Sequence, residues 1–295
     1  MAEGVAWVLN LDAEDELAHP GAHTPTAAMT ARIAALIPRL AGLIQPGDQV
    51  LWPGGAPVAG MKGRAWCPTR WALEQLERAG ALLPRAPAVE VLRRANHRRF
   101  SHALGQSLPG AGYAGDAEEL AALLSVPPGA SSERRWLLKR PLGYAGRGRR
   151  LLGAGPRSAA DQAWLDASLR SGEGLQVEPY VSRELDCALH GWLEEDGACT
   201  FGRPTLQEVE PTGAWRSTVV APDGALGVEE LALLAQEARR SAAALHELGY
   251  FGPFGLDAFR WRAPDGRLQF QARSEINARY SMGWATGMQG FRPAG

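Results

Sequence analysis

Two carboxylates and a carboxamide near the end of the chain are placed so that they could do chemistry together. Asp257 lies in Gly255-Leu256-Asp257-Ala258-Phe259-Arg260-Trp261, and Glu275 and Asn277 end the run Leu268 to Asn277, with Ala263-Pro264-Asp265-Gly266 between the two runs. Alternation at period two on either side of a Pro/Gly turn predicts a β-hairpin. In the second run Leu268, Phe270, Ala272 and Ile276 share one face, and Gln269, Gln271, Arg273, Glu275 and Asn277 share the other. Folding at the turn sets Asp257 roughly opposite Glu275. Carboxylates that converge repel unless a cation sits between them. Hard oxygen donors suit Mg²⁺, which binds through one or two carboxylates together with substrate phosphates. The same residues also fit a polar sheet face turned to water.

A second candidate is the stretch Trp136 to Arg150. A hydrophobic run ends in Lys139, and a loop follows with Gly143, Gly146 and Gly148. The chain has only two lysines, Lys62 and Lys139, among 31 basic residues. A lysine beside a glycine loop therefore reads as a compact point charge suited to phosphate, where arginine is a planar fork. Glycine backbone bends freely and approaches a ligand closely, and successive N–H groups make a concavity for anions. The spacing is G-x-x-G-x-G. It is neither the dinucleotide fingerprint nor the P-loop, both of which open a helix. Leu151 and Leu152 follow, then Gly153 and Gly155, so the pattern is strand, glycine loop, strand: a flap over phosphates. An ordinary hairpin turn rich in Gly and Arg has the same pattern.

The elements that must position these groups can be read in order. Residues 5–10 read as a buried strand running into an acidic loop with Asp12, Glu14, Asp15 and Glu16. Residues 27–44 are helical by spacing and broken near Pro38. Gln49 to Trp52 and Ala81 to Leu83 read as strands, with a helix from Thr69 to Arg78 between them, so the opening residues form a small α/β unit on a parallel sheet. Val89 to Gly105 reads as one helix with a basic face. Pro109 to Gly115 is loop, Asp116 caps a helix to Leu124, and Ser158 caps another to Leu169. Leu175 to Val181 is a strand, Arg183 to Trp192 and Ala198 to Phe201 a hairpin, and Thr205 to Val220 is irregular or extended, with Glu208, Glu210 and Arg216. The longest helix is Val228 to Leu248, opened by Glu229 and Glu230 and ended by Gly249.

At 295 residues the chain can hold two or three units with real cores. No apolar run approaches the roughly 18 residues of a membrane span. The acids in the first 20 residues are wrong for a signal peptide. A net charge of −1 argues against a nucleic-acid surface. Cys67, Cys187 and Cys199 are odd in number, widely separated and without metal spacing, which suits a reducing compartment. A cytoplasmic protein is expected, with neither nucleic acid nor membrane as partner.

The glycine flap with Lys139 and the downstream oxygen donors are the two halves of a nucleotide triphosphate site, and this combination resembles the ATP-grasp superfamily. The resemblance runs from about residue 90 to residue 285. It implies an α/β (α+β) fold in which a small N-terminal α/β unit, 1–90, precedes a two-lobed clamp: a small lobe, 91–182, with the glycine loop, and a large lobe, 183–295, with the metal site. By the same resemblance Arg98 and Lys139 are the basic groups on the phosphates of ATP, and Gly143, Gly146 and Gly148 belong to the loop over them. Glu178, Tyr180 and Val181 look like the hinge that holds adenine, and Glu184 or Asp186 the group on the ribose. Asp257, Glu275 and Asn277 match the Mg²⁺ ligands, and Arg279 the phosphate or substrate arginine that follows. Glu275-Ile276-Asn277-Ala278-Arg279 after a hairpin with Gly-x-Asp is the most specific part. The departures are Arg at 98, where Lys is commoner, and Ala278, where Pro is common.

The chemistry implied is ATP-dependent joining of a carboxylate to an amine, such as an amino acid or peptide, through an acyl phosphate, with release of ADP and phosphate. Arg216 is the candidate for holding the carboxylate substrate. A phosphotransferase on the same fold and a nucleotide-binding module without turnover are the alternatives, and a homodimer is compatible with either.

Overall fold

A computed structural model describes the whole chain except residues 1–3, 22, 41, 106, 144, 145, 154, 210–214 and 294–295. Tyr144 and Ala145 of the expected flap, and Glu210, thus lie outside the described residues.

The apolar run at the start forms β1 (Val5–Val8). It is the middle strand of a parallel sheet, between β2 (Gln49–Val50) and β3 (Lys62–Ala65). Trp7 faces one core and Ala6 and Val8 another, as strand alternation requires. The sequence reading omitted β3, whose Lys-Gly-Arg-Ala has poor strand propensity. Gly63 is needed there because a Cβ would come within 2.8 Å of the Leu82 carbonyl. The expected strand at 81–83 amounts to a single bridge, Leu82 to Lys62. The expected acidic loop is a helix, α1 (Ala13–Ala18), with Glu14 and Glu16 buried. Next come α2 (Ala27–Leu36), which gives way to a 3-10 turn at Ile37–Leu40 where Pro38 falls, and α3 (Arg70–Arg78).

The helix expected over 89–105 is two, α4 (Val89–Asn96) and α5 (Arg98–Ala103). His97 leaves the helical region at φ −77°, ψ 127°, and its Nδ1 accepts the Arg99 N–H at 3.1 Å. Burial, with Arg93, Arg99 and Arg98 adding to it, pushes His97 down to about 4. The ring is therefore neutral and able to accept. Asn96 holds this break against the far end of the chain, donating to the Ala278 carbonyl at 3.2 Å and accepting the Ala278 N–H at 2.9 Å.

A small antiparallel sheet follows, ordered β4-β7-β5-β6, from β4 (Gly112–Ala114), β5 (Trp136–Lys139), β6 (Arg149–Leu152) and β7 (Leu175–Pro179). The three-residue β4 falls where loop was expected. Helices α6 (Ala117–Ser125), capped by Asp116, and α7 (Ala159–Leu169), closed by a Ser158/Asp161 capping box, cover it with Leu120 and Leu165.

The large sheet runs β11-β10-β8-β12-β13, with β9 on the end of β8. Its strands are β8 (Ser182–Leu193), β9 (Cys199–Phe201), β10 (Thr205–Val209), β11 (Trp215–Val220), β12 (Gly252–Arg262) and β13 (Leu268–Asn277). The 20-residue α8 (Val228–Glu247) lays Leu234, Ala238, Ala242 and Leu245 on this sheet at helical spacing, and a short α9 (Trp284–Gly287) follows β13. One core joins Trp7, Leu17 and Ile33 of the first unit to Leu92 and to Leu189, Leu256 and Ile276 of the large sheet. Among the described residues no helix is long and apolar enough to cross a membrane.

Candidate active site

A cavity of about 280 Å³ opens where the small sheet, the large sheet and the N-terminal unit meet. The hairpin pairs Asp257 directly with Glu275. Close by, the ladder slips: Asp257 pairs with Glu275 but Phe259 with Gln271, so Ala258 alone opposes residues 272–274. This bulge breaks the face expected from simple alternation. Ser274, Glu275 and Asn277 line the cavity, while Arg273 turns away to Glu237 of α8, with its Nε 2.9 Å from that carboxylate. Gln271 is buried and donates to the Arg273 carbonyl at 2.6 Å.

The oxygen donors form a connected network. Gln207 Nε2 donates to Asp257 Oδ1 at 3.2 Å, and Asn277 Nδ2 to Asp257 Oδ2 at 3.0 Å. Asn277 Oδ1 accepts from Arg279 at 3.1 Å, and Arg279 Nε donates to Glu14 Oε1 at 2.6 Å. Burial, with the adjacent Glu275 adding to it, pushes Asp257 up to about 6. For Glu275 burial works in the same direction, but Arg98, Lys139 and Arg279 outweigh it and hold its carboxyl below the ordinary value. Burial also raises Glu14, although Arg279 pulls it back.

From the small sheet, the loop between β5 and β6 closes with the Arg140 N–H donating to the Gly148 carbonyl at 2.7 Å. Gly146 and Gly148 sit at φ +78° and +69°, a region where glycine carries no steric cost. A Cβ on Gly143 would come within 2.8 Å of the Arg147 carbonyl. Arg98 links the small sheet's loop to the large sheet. It donates to the Arg140 carbonyl at 2.8 Å and to Glu275 Oε1 at 2.8 Å. Lys139 is buried with its Nζ 2.6 Å from Glu178 Oε2.

Nine of the residues singled out from the sequence line this cavity: Arg98, Lys139, Gly143, Gly146, Asp186, Asp257, Glu275, Asn277 and Arg279. Six do not, each for a visible reason. Glu178 spends both oxygens, one on Lys139 and one on Gln176 at 2.9 Å. The Tyr180 N–H is taken by the Arg135 carbonyl at 2.8 Å. Val181 packs in a small core with Leu108, Phe259 and Trp261. Glu184 pairs outward with Arg262 at 2.8 Å, which leaves Asp186, itself 2.8 Å from Arg183, as the acid on the wall. Gly148 serves as the base of the loop. Arg216 is two-thirds exposed, with its Nε 3.9 Å from Glu208, and its backbone carbonyl accepts from Arg39. Its guanidinium therefore lies off the cavity lining, on the outer side of the sheet edge that carries Trp215.

Glu14, Gln207, Trp66 and Trp215 were missed. Glu14 sits in an acidic run that reads as solvated. The one signal against that reading is Ala13 and Leu17, four residues apart and both buried, which give α1 an inward face. Seven basic and three acidic side chains line the cavity, an excess that favours an anionic ligand.

No family model matches the sequence, and no curated protein matches it. Solved structures do. The D-alanyl-alanine synthetase A of Vibrio cholerae aligns with a TM-score of 0.54 at 13% identity, over 94% of this chain and 89% of its own. A biotin carboxylase of Campylobacter jejuni aligns at 0.53 and 14%, over 97% of this chain and 66% of its own. The N5-carboxyaminoimidazole ribonucleotide synthetase of Thermus thermophilus aligns at 0.51 and 19%, over 94% and 71%. These proteins share one architecture, and the chain has it: this is an ATP-grasp fold, an α/β fold of mixed helices and sheets.

Proposed function

We propose that the chain is an ATP-dependent carboxylate–amine ligase that forms an amide bond by way of an acyl phosphate and releases ADP and phosphate. The observation that carries this reading is the meeting, around one cavity, of Arg98 and Lys139 from one lobe with Asp257, Glu275 and Asn277 from the other. The donor set is chemically suited to a hard cation. Two carboxylates stand directly across a β-ladder, and Asn277 carries both an oxygen and an NH₂ that can be presented to them.

In this scheme Lys139 and Arg98 bind phosphate oxygens, and the glycine loop lays its backbone N–H groups over them. Asp257, Glu275 and Asn277 would hold Mg²⁺. When bound, that ion supplies neutralisation of the charge on the phosphates. Asp186 faces the nucleotide sugar. Arg279, kept charged and oriented by Glu14, steadies the carboxylate or the transferring phosphoryl group.

The test is ADP release over paired acids and amines. ADP should appear only when both members of a productive pair are present, and Lys139→Met should abolish it while the fold, followed by circular dichroism, persists. ADP formed with an acid alone, at the rate seen with the pair, would mean phosphotransfer in place of ligation. Unchanged turnover in Lys139→Met would remove that residue from the site.

A further inference from the structure

One stretch of the cavity wall plays no part in the scheme above. It is built by Leu11, Met29, Leu36, Trp66, Trp215 and Met282, all uncharged and drawn from both the N-terminal unit and the large lobe. Met29 and Trp66 are 5% and 3% exposed. The elements that carry Trp215 and Met282 are joined to each other and, through Arg39, to the end of α2. The Trp215 indole N–H donates to Thr218 Oγ1 at 2.7 Å, and Gly283, next to Met282, stands so close to Thr218 that a Cβ would meet its Cγ2 at 2.9 Å. The Arg39 guanidinium, just past α2, lies 4.7 Å from the centre of the Trp215 ring.

The wall has a polar end. Arg279 lies 6.0 Å from the centre of the Trp66 ring, and the Trp66 carbonyl accepts the Tyr280 N–H at 3.0 Å. Ser281 lines the same stretch, and its Oγ is buried with no hydrogen-bond partner. A buried hydroxyl left unpaired is costly, so a ligand oxygen there is favoured. The one charge among the N-terminal residues on the cavity is Arg32 of α2, exposed and without an ion pair among the described residues. It would draw in an acid and repel an ammonium.

Resting on the ligase reading, we infer that the acid substrate is a monocarboxylic acid with an aromatic or branched aliphatic side group. Its carboxylate lies at Arg279 and Ser281, and its side group lies on the apolar wall. A polar or doubly charged side group would be desolvated there without partners. Calorimetry on the full chain tests this with 3-phenylpropanoate, 4-methylpentanoate, acetate and succinate. The two apolar acids should bind at least about tenfold more tightly than acetate or succinate. Leu36→Glu, at a half-buried position, should lose about tenfold for 3-phenylpropanoate while binding a non-hydrolysable ATP analogue within about twofold of the parent. Acetate or succinate binding as tightly as the apolar acids, or an unchanged affinity in Leu36→Glu, would overturn the inference. Failure of the parent chain to bind the ATP analogue would instead overturn the ligase reading, because selectivity among the acids is measured without nucleotide.

Discussion

Asp257 is held under two opposing demands. Desolvation on the cavity wall, with the Glu275 carboxylate across the ladder adding to it, pushes it up to about 6 from an ordinary 3.8, while Gln207 and Asn277 donate to it. A carboxyl with a raised folded-state pKa binds its proton more tightly folded than unfolded. Its contribution to stability is therefore most favourable at low pH and declines as pH rises between about 4 and 6. Cation binding runs the other way, because the ion competes with that proton. Mg²⁺ binding in the presence of an ATP analogue, followed by calorimetry, should strengthen through pH 6. In Asp257→Asn the stability decline over that window should flatten and the Mg²⁺ dependence disappear. A variant that keeps the parent's pH slope would show that another group titrates there. The Asp257–Glu275 pairing was legible in the sequence because a short turn fixes hairpin register to within a residue. Glu14 was not. Burial of an acid depends on a partner 265 positions away, Arg279, and no local pattern encodes that.

At the scale of elements, β13 has to deliver Glu275 and Asn277 to the cavity while α5 and α8 grip its other side. The grip is Arg273. It is 3% exposed, it pairs with Glu237 of α8, itself 4% exposed, and it donates to Ser101 Oγ at 3.0 Å and to the Ser101 carbonyl. Breaking a buried ion pair by removing one partner typically costs about 3–5 kcal/mol, because the other charge remains buried. Arg273→Ala should lose stability of that order in urea unfolding. The double variant Arg273→Leu with Glu237→Leu should recover most of it. A loss below about 1 kcal/mol in the single variant would mean that Glu237 finds water or Arg240 instead. Periodicity showed both strands, α8 and the glycine hairpin. It could not show the bulge at Ala258 that sends Arg273 to α8, since alternation is the very rule a bulge breaks. Nor could it show the break at His97, which rests on a capping bond to a neutral ring, or β3, which is a strand because β1 lies beside it.

Across the whole molecule, the site belongs to three bodies of structure. Lys139 and Arg98 come from the small sheet and α5, Asp257, Glu275 and Asn277 from the large sheet, and the carboxylate paired with Arg279 from α1 of the N-terminal unit. Glu14 is buried and Arg279 largely so, and the two are joined side chain to side chain, so the N-terminal unit supplies the counter-charge of a residue on the cavity wall. Without Glu14, Arg279 would be a largely buried cation short of its main counter-charge, although Asn277 and the Tyr280 carbonyl would still accept from it. Glu14→Gln should therefore lower the thermal midpoint. An anion that reaches Arg279 would then restore in the variant what the carboxylate supplies in the parent. Linkage makes this measurable: a ligand that binds only the folded state stabilises it in proportion to its affinity. Inorganic phosphate should raise the midpoint of Glu14→Gln by more than it raises that of the parent chain, at equal ionic strength set with chloride. Equal shifts in the two proteins would place the anion away from Arg279 and leave the Glu14 pair as a purely structural tie between the N-terminal unit and the clamp.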